Sequence, residues 1–224
     1  MKFSPTNNPR AISAFTMIEI ALCLAIISFA LVAIIGVLPL GLNTQRDVRE
    51  ATVISQDASV LLEAIRSGAS GSDFLTNYVY KITITNTVTT SNQNFSATYL
   101  TNGLRIIGLL STPGDNNDRA IAYVRSISGV AAEKPPQSAT SAVFQDTFSY
   151  RLVCVNVPVL QPTINPKLQN NLHELRMTFM WPLFANGSTG NGRQTFRTTI
   201  AGLLTTNTAF VPPLYFYQPQ TYAP

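Results

Sequence analysis

The chain has 224 residues, room for one helix and one globular domain of ordinary size. Lys plus Arg outnumber Asp plus Glu by 15 to 11, and there are two cysteines and a single histidine. That excludes a disulfide framework, leaves a metal or catalytic set of ordinary spacing without its imidazoles, and offers no basic run interleaved with aromatics of the kind nucleic-acid binders carry.

The first fourteen residues, MKFSPTNNPRAISA, carry Lys2 and Arg10 and no acid. From Ile20 to Leu42 no residue is charged, a run of 23 positions. As a helix rising about 1.5 Å per residue, such a run spans the roughly 30 Å hydrocarbon core of a bilayer. Glu19 stands at its head, where a carboxylate is costly unless something pairs with it. A secretory signal is cut after its apolar stretch, so the stretch is lost. Here the small-residue boundary, Ala14, lies before it. Cutting there keeps the helix and makes Phe15 the new amino terminus. A lipoprotein signal is excluded because bulky Leu22 precedes Cys23.

The stretch Ala14-Phe15-Thr16-Met17-Ile18-Glu19 resembles the leader junction of type IV prepilins and type II secretion pseudopilins, whose motif is Gly followed by Phe-Thr-Leu-Ile-Glu. Phe15, Thr16, Ile18 and Glu19 match, Met17 replaces Leu, and Ala14 replaces Gly. The resemblance implies cleavage after Ala14 by a prepilin peptidase and N-methylation of Phe15. It also implies that Glu19 pairs with the Phe15 ammonium of a neighbouring subunit during assembly. Removing Lys2 and Arg10 with the leader leaves 13 basic residues against 11 acidic ones, so no nucleic-acid partner is expected from charge. The basic leader places the N-terminus in the cytoplasm and everything after Leu42 outside the inner membrane.

Helical periodicity continues beyond the apolar run. Residues 15–42 form its membrane half and residues 43–67 an amphipathic half. Ala51, Ile54, Ala58, Leu61, Leu62 and Ile65 form an apolar stripe; Arg46, Arg49, Glu50, Asp57, Glu63 and Arg66 fill the other faces. Pro39, between Gly36 and Gly41, is expected to kink or locally melt the helix. The run from Ser67 to Ser72 ends it with turn chemistry.

Residues 68–224 read as a β-rich head. Tyr78–Thr85 alternates as a half-buried strand. Further strands are expected over 95–100, 104–110, 120–127, 143–157, 172–181 and 194–203, joined by Gly, Asn, Pro and Ser clusters. One helix followed by strands argues for α+β: an antiparallel sheet packed on the amphipathic half. Asn186–Gly192 reads as a hairpin loop between the last two strands. The ending of strand, Trp181, turn and Thr-rich strand is similar to minor pseudopilins of the I type and their pilus counterparts. The tail from Phe210, FVPPLYFYQPQTYAP, is too proline-rich for a central strand and either covers the sheet or contacts a partner.

Chemistry has few candidates. His173 and Glu174 are adjacent in a strand and point to opposite faces. Cys154 reads as a small buried apolar residue, and Trp181 as core packing. Asp115 and Asp118 flank two asparagines and could offer oxygens to calcium, though Asn and Asp are also ordinary turn formers. No catalytic residues and no other cofactor are expected. The chain reads as a structural, non-enzymatic subunit, more a minor than a major one, of a type IV pilus or type II secretion pseudopilus. Its partners would be the prepilin peptidase, other pilins or pseudopilins, the inner-membrane assembly platform and membrane lipid. Two alternatives remain: a stand-alone membrane-anchored envelope protein, and a filament-borne binding or adhesive head.

Overall fold

The computed structural model describes residues 15–68, 71–86, 91–114, 118–128, 148–159 and 168–222. A 50-residue helix, α1 (Met17–Arg66), opens the chain. It runs unbroken through Pro39, so the expected local melting does not occur. Proline removes one backbone donor, and the surrounding turns of a long helix hold the geometry. Two compact units follow from the contacts, one ending at Arg49 and one beginning at Glu50.

In the first unit every described side chain is exposed, including the whole apolar run. It is the one described helix long and apolar enough to cross a membrane, as a membrane anchor or a signal.

In the second unit, α1 buries Ile54, Asp57, Ala58, Leu61, Ala64 and Ile65. The predicted stripe is therefore present, with one correction: Asp57 belongs to the buried face. A 3-10 turn at Asp73–Asn77 leads into β1 (Val79–Asn86) and β2 (Ser91–Ser96). Then come α2 (Gly103–Leu110), β3 (Asp118–Arg125) and β4 (Ser149–Pro158). The short α3 (Leu168–Asn171) precedes β5 (Leu172–Leu183) and β6 (Thr189–Ala201). The chain closes with β7 (Leu203–Asn207) and β8 (Leu214–Gln218). The six-stranded sheet runs β2-β1-β3-β4-β5-β6 and every neighbour is antiparallel. The architecture is α+β and pilin-like: a long apolar N-terminal helix followed by an antiparallel sheet.

The core lies between the amphipathic half of α1 and one face of the sheet. Tyr150, Leu152, Leu175, Met177, Phe179 and Trp181 point into it from β4 and β5. Cys154 is buried there too, and burial pushes its thiol up to about 12. Both expectations, for Cys154 and Trp181, hold.

The expected strand over 104–110 is a helix. Asn102 caps it, its Oδ1 accepting the Arg105 N–H at 3.0 Å, and Asp73 Oδ1 accepts the Gly103 N–H at 2.8 Å. A short apolar run such as GLRIIGLL fits a buried strand or a buried helix equally well, and capping decides it. The expected strand over 95–100 shifts to Ser91–Ser96, with a turn over residues 97–99. Of the run 143–157, residues 143–147 lie outside the described residues.

The hairpin turn is tighter than Asn186–Gly192. Asn186 Oδ1 accepts from the Ser188 N–H at 2.9 Å, Gly187 supplies φ +82°, and β6 already begins at Thr189. The tail covers: β8 pairs with β7, and Leu214 and Tyr217 are buried. Tyr217 donates to Asn156 Oδ1 at 2.6 Å, and Asn156 Nδ2 donates to the Ser111 carbonyl at 2.7 Å. That relay ties the tail to β4 and to the end of α2. Gly108 lets α2 approach closely, since a Cβ there would sit 2.7 Å from the Leu214 Cβ.

Candidate functional site at the start of the first helix

Thr16 precedes the first residue of α1, and its amide is the first backbone donor the helix leaves without an internal partner. Glu19 Oε2 accepts from both the Thr16 N–H at 2.9 Å and the Thr16 hydroxyl at 3.0 Å. The Glu19 N–H lies 3.4 Å from Thr16 Oγ1 in return. This is a capping box: Thr at the cap and Glu three residues on, satisfying each other's orphan groups. The Thr-x-x-Glu spacing of the box is legible in the sequence itself. Both bonds fall on Oε2, and neither uses Oε1.

Phe15 and Met17 project from this end, 81% and 88% exposed, so the motif is a surface without partners in its own described chain. Ala14 lies outside the described residues. The box holds the carboxylate beside the backbone of Phe15 and Thr16. An amino terminus created after Ala14 would begin one residue from the cap.

The other candidates separate. Asp115 lies outside the described residues. Asp118 opens β3, half-buried, and its Oδ1 is buried with no hydrogen-bond partner. Among the described residues no group of three His, Cys, Asp or Glu is placed to hold a metal. His173 is buried while Glu174 lies on the opposite, half-exposed face, as the alternation required. The His173 ring stands edge-on to Tyr217 at 5.7 Å, and burial lowers its proton affinity.

Asp57 is what the sequence reading missed. Fully buried, it accepts the Ile127 N–H at 2.9 Å and the Ser128 N–H at 2.8 Å, and the Ser128 hydroxyl as well. The Tyr150 phenol is buried nearby; desolvation raises its proton affinity far above the usual phenol, and the Asp57 charge adds to that. The signal was available: Asp57 lies three residues after Ile54 and four before Leu61, on the stripe itself. Its role is to terminate β3 against α1.

Comparison with family models, curated proteins and solved structures gives no match.

Proposed function

We propose that the chain is a non-enzymatic, minor structural subunit of a type IV pilus or type II secretion pseudopilus, cut after Ala14 and assembled through α1. The observation that carries this reading is the junction itself. A polar basic leader meets the apolar helix at a small residue, with Thr16 and Glu19 already organised at the first turn. Before assembly the subunit stands in the inner membrane with its head outside, and in the filament the apolar helices bundle while heads form the surface. Its partners are the peptidase, sister pilins and the assembly platform. Glu19 faces two tasks in sequence: capping its own helix, then meeting the Phe15 ammonium of a neighbour. In a low-dielectric bundle the pair fixes axial register more than it adds stability.

Co-expression with a prepilin peptidase is expected to yield a protein starting at Phe15 by mass spectrometry. Ala14→Gly is expected to be cut at least as well. Retention of Met1, or cleavage after Leu42, would overturn the reading. A second reading has one observation in its favour: the capping box satisfies Glu19 within its own chain. In a stand-alone anchored envelope protein, Glu19 would need no intersubunit partner and the leader would remain.

A further inference from the structure

Charge is nearly balanced along the sequence, and the sheet register undoes that balance. Two parallel cross-strand rows on the outer face, opposite the core, collect the cations. In the first, Lys81 pairs with Tyr123, Tyr123 with Arg151, Arg151 with Met180 and Met180 with Arg193. In the second, Val155 pairs with Arg176 and Arg176 with Arg197, while Arg119 stands on β3 four residues before Tyr123. Lys81, Arg119, Arg193 and Arg197 are exposed; Arg151 and Arg176 are half-exposed. Against these six, the face carries one acid among the described residues, Glu174, bound to Arg176 at 2.6 Å. Arg176 and Arg197 sit directly opposite each other, a like-charge pair that shares the single carboxylate of Glu174.

We propose that this outer face binds duplex nucleic acid through its phosphate backbone. Strands lie about 4.8 Å apart, so the first row spans about 19 Å, close to the width of a duplex. Arg193 and Arg197 are four residues apart on one strand, which puts the rows about 13 Å apart, comparable to the roughly 12 Å of a major groove between its flanking phosphates. Five of the six cations are arginines, whose planar forks suit phosphate oxygens bidentately.

The alternatives lack their own signatures here. No large hydrophobic side chain on this face is strongly exposed, so nothing wedges into a lipid interface. Tyr123 is half-buried with Lys81 over its ring at 5.6 Å, which leaves no open platform for stacking unpaired bases. The linear sequence shows no basic run, because the six cations come from five strands; the register brings them together. The inference stands apart from the filament reading, since it needs only the sheet.

The test uses the full chain in neutral-lipid nanodiscs, with a mixed-sequence DNA duplex as the probe and fluorescence anisotropy over a salt series. Five cations, with Arg176 held by Glu174, predict a log–log salt slope of about −4.5. The double variant Arg193→Gln/Arg197→Gln is expected to lower the slope by about 2 at an unchanged or raised melting temperature, since it relieves the Arg176–Arg197 repulsion. Arg66→Gln, on α1 beside Glu63 and off the face, should leave it alone. No binding at low salt, or an unaltered slope in the double variant, overturns the proposal. Equal or tighter binding of heparin, polyglutamate or phosphatidylglycerol vesicles would also overturn it, assigning the face to a sulfated polysaccharide, an acidic protein or a lipid surface.

Discussion

The two halves of α1 each carry one carboxylate out of keeping with its apolar neighbours, and the two are treated in opposite ways. Glu19 stands in an exposed apolar run and is satisfied three residues away, by Thr16. Asp57 stands in a buried stripe and is satisfied 70 and 71 residues away, by the backbone after β3. A local partner costs little to keep and can be exchanged when a neighbour arrives. A distant, buried set of donors is part of the fold and cannot be exchanged without opening it. The first acid is therefore free to change partner, and the second is committed to the head.

The largest expected effect breaks the second half of that comparison. Asp57→Ala strands two part-buried backbone N–H groups, while the Ser128 hydroxyl keeps the Val53 carbonyl, and is expected to destabilise the head by about 3 kcal/mol. Asp57→Asn keeps one acceptor oxygen and should cost about half of that. Denaturant unfolding of the full chain in detergent measures both. A loss under about 1 kcal/mol for Asp57→Ala would mean that water replaces the carboxylate and that the site is not sealed.

Glu19→Ala sharpens the first half. Head stability is expected to stay unchanged, and membrane insertion to hold or improve, because a charge leaves an apolar helix. Recovery of partner pilins by pull-down should fall strongly. Glu19→Gln retains hydrogen-bonding oxygen for the box but not the charge, so it separates the two tasks. If pairing with a neighbour's ammonium matters, Gln fails nearly as badly as Ala. If Gln assembles normally while Ala does not, capping alone explains the residue.

How much of this was legible in the sequence follows the range of the interactions. The apolar run, the stripe through Ile54, Leu61 and Ile65, and the alternation of β1, β4 and β5 are periodic signals within one element, and they appear where expected. The strand expected over 194–203 instead runs Thr189–Ala201 and breaks at Gly202, where φ is +134°, so Leu203 opens β7. The helix over Gly103–Leu110 is not legible because its deciding contacts, Asn102 to Arg105 and Asp73 to Gly103, are a cap and a link across 30 residues. The burial of Asp57 is hidden for a related reason. Its residue type argues for exposure, and only the fold reveals its three donors. The basic face was invisible for the strongest reason: no two of its cations are sequence neighbours, and register alone aligns them.

Tyr217→Phe tests how firmly the tail is held. It removes the donor to Asn156 Oδ1 and leaves that buried oxygen unsatisfied, for an expected loss of about 1–2 kcal/mol. Hydrogen exchange should accelerate in β7 and β8 first, while the six-stranded sheet keeps its protection.

The smallest effect concerns pH. Burial holds His173 neutral, so its folded proton affinity lies below the ordinary imidazole value of 6.5. Below that value the unfolded chain takes up a proton that the folded one resists, and proton uptake favours unfolding. The contribution of His173 is thus fully present above pH 6.5 and is lost as pH falls through the depressed folded value. The melting temperature of the full chain should decline between about pH 7 and pH 5. Carboxylates begin to titrate at the acid end of that window, so the wild-type curve alone does not isolate the imidazole. His173→Leu removes the one titrating ring while keeping an apolar neighbour for Tyr217, and the difference between the two melting curves is the histidine's share. That difference should be flat above pH 6.5 and should move in the variant's favour as the solution is acidified, because only the wild type carries the penalty. Parallel curves throughout would mean that the ring is protonated in place, with solvent reaching Nδ1 between β5 and the tail.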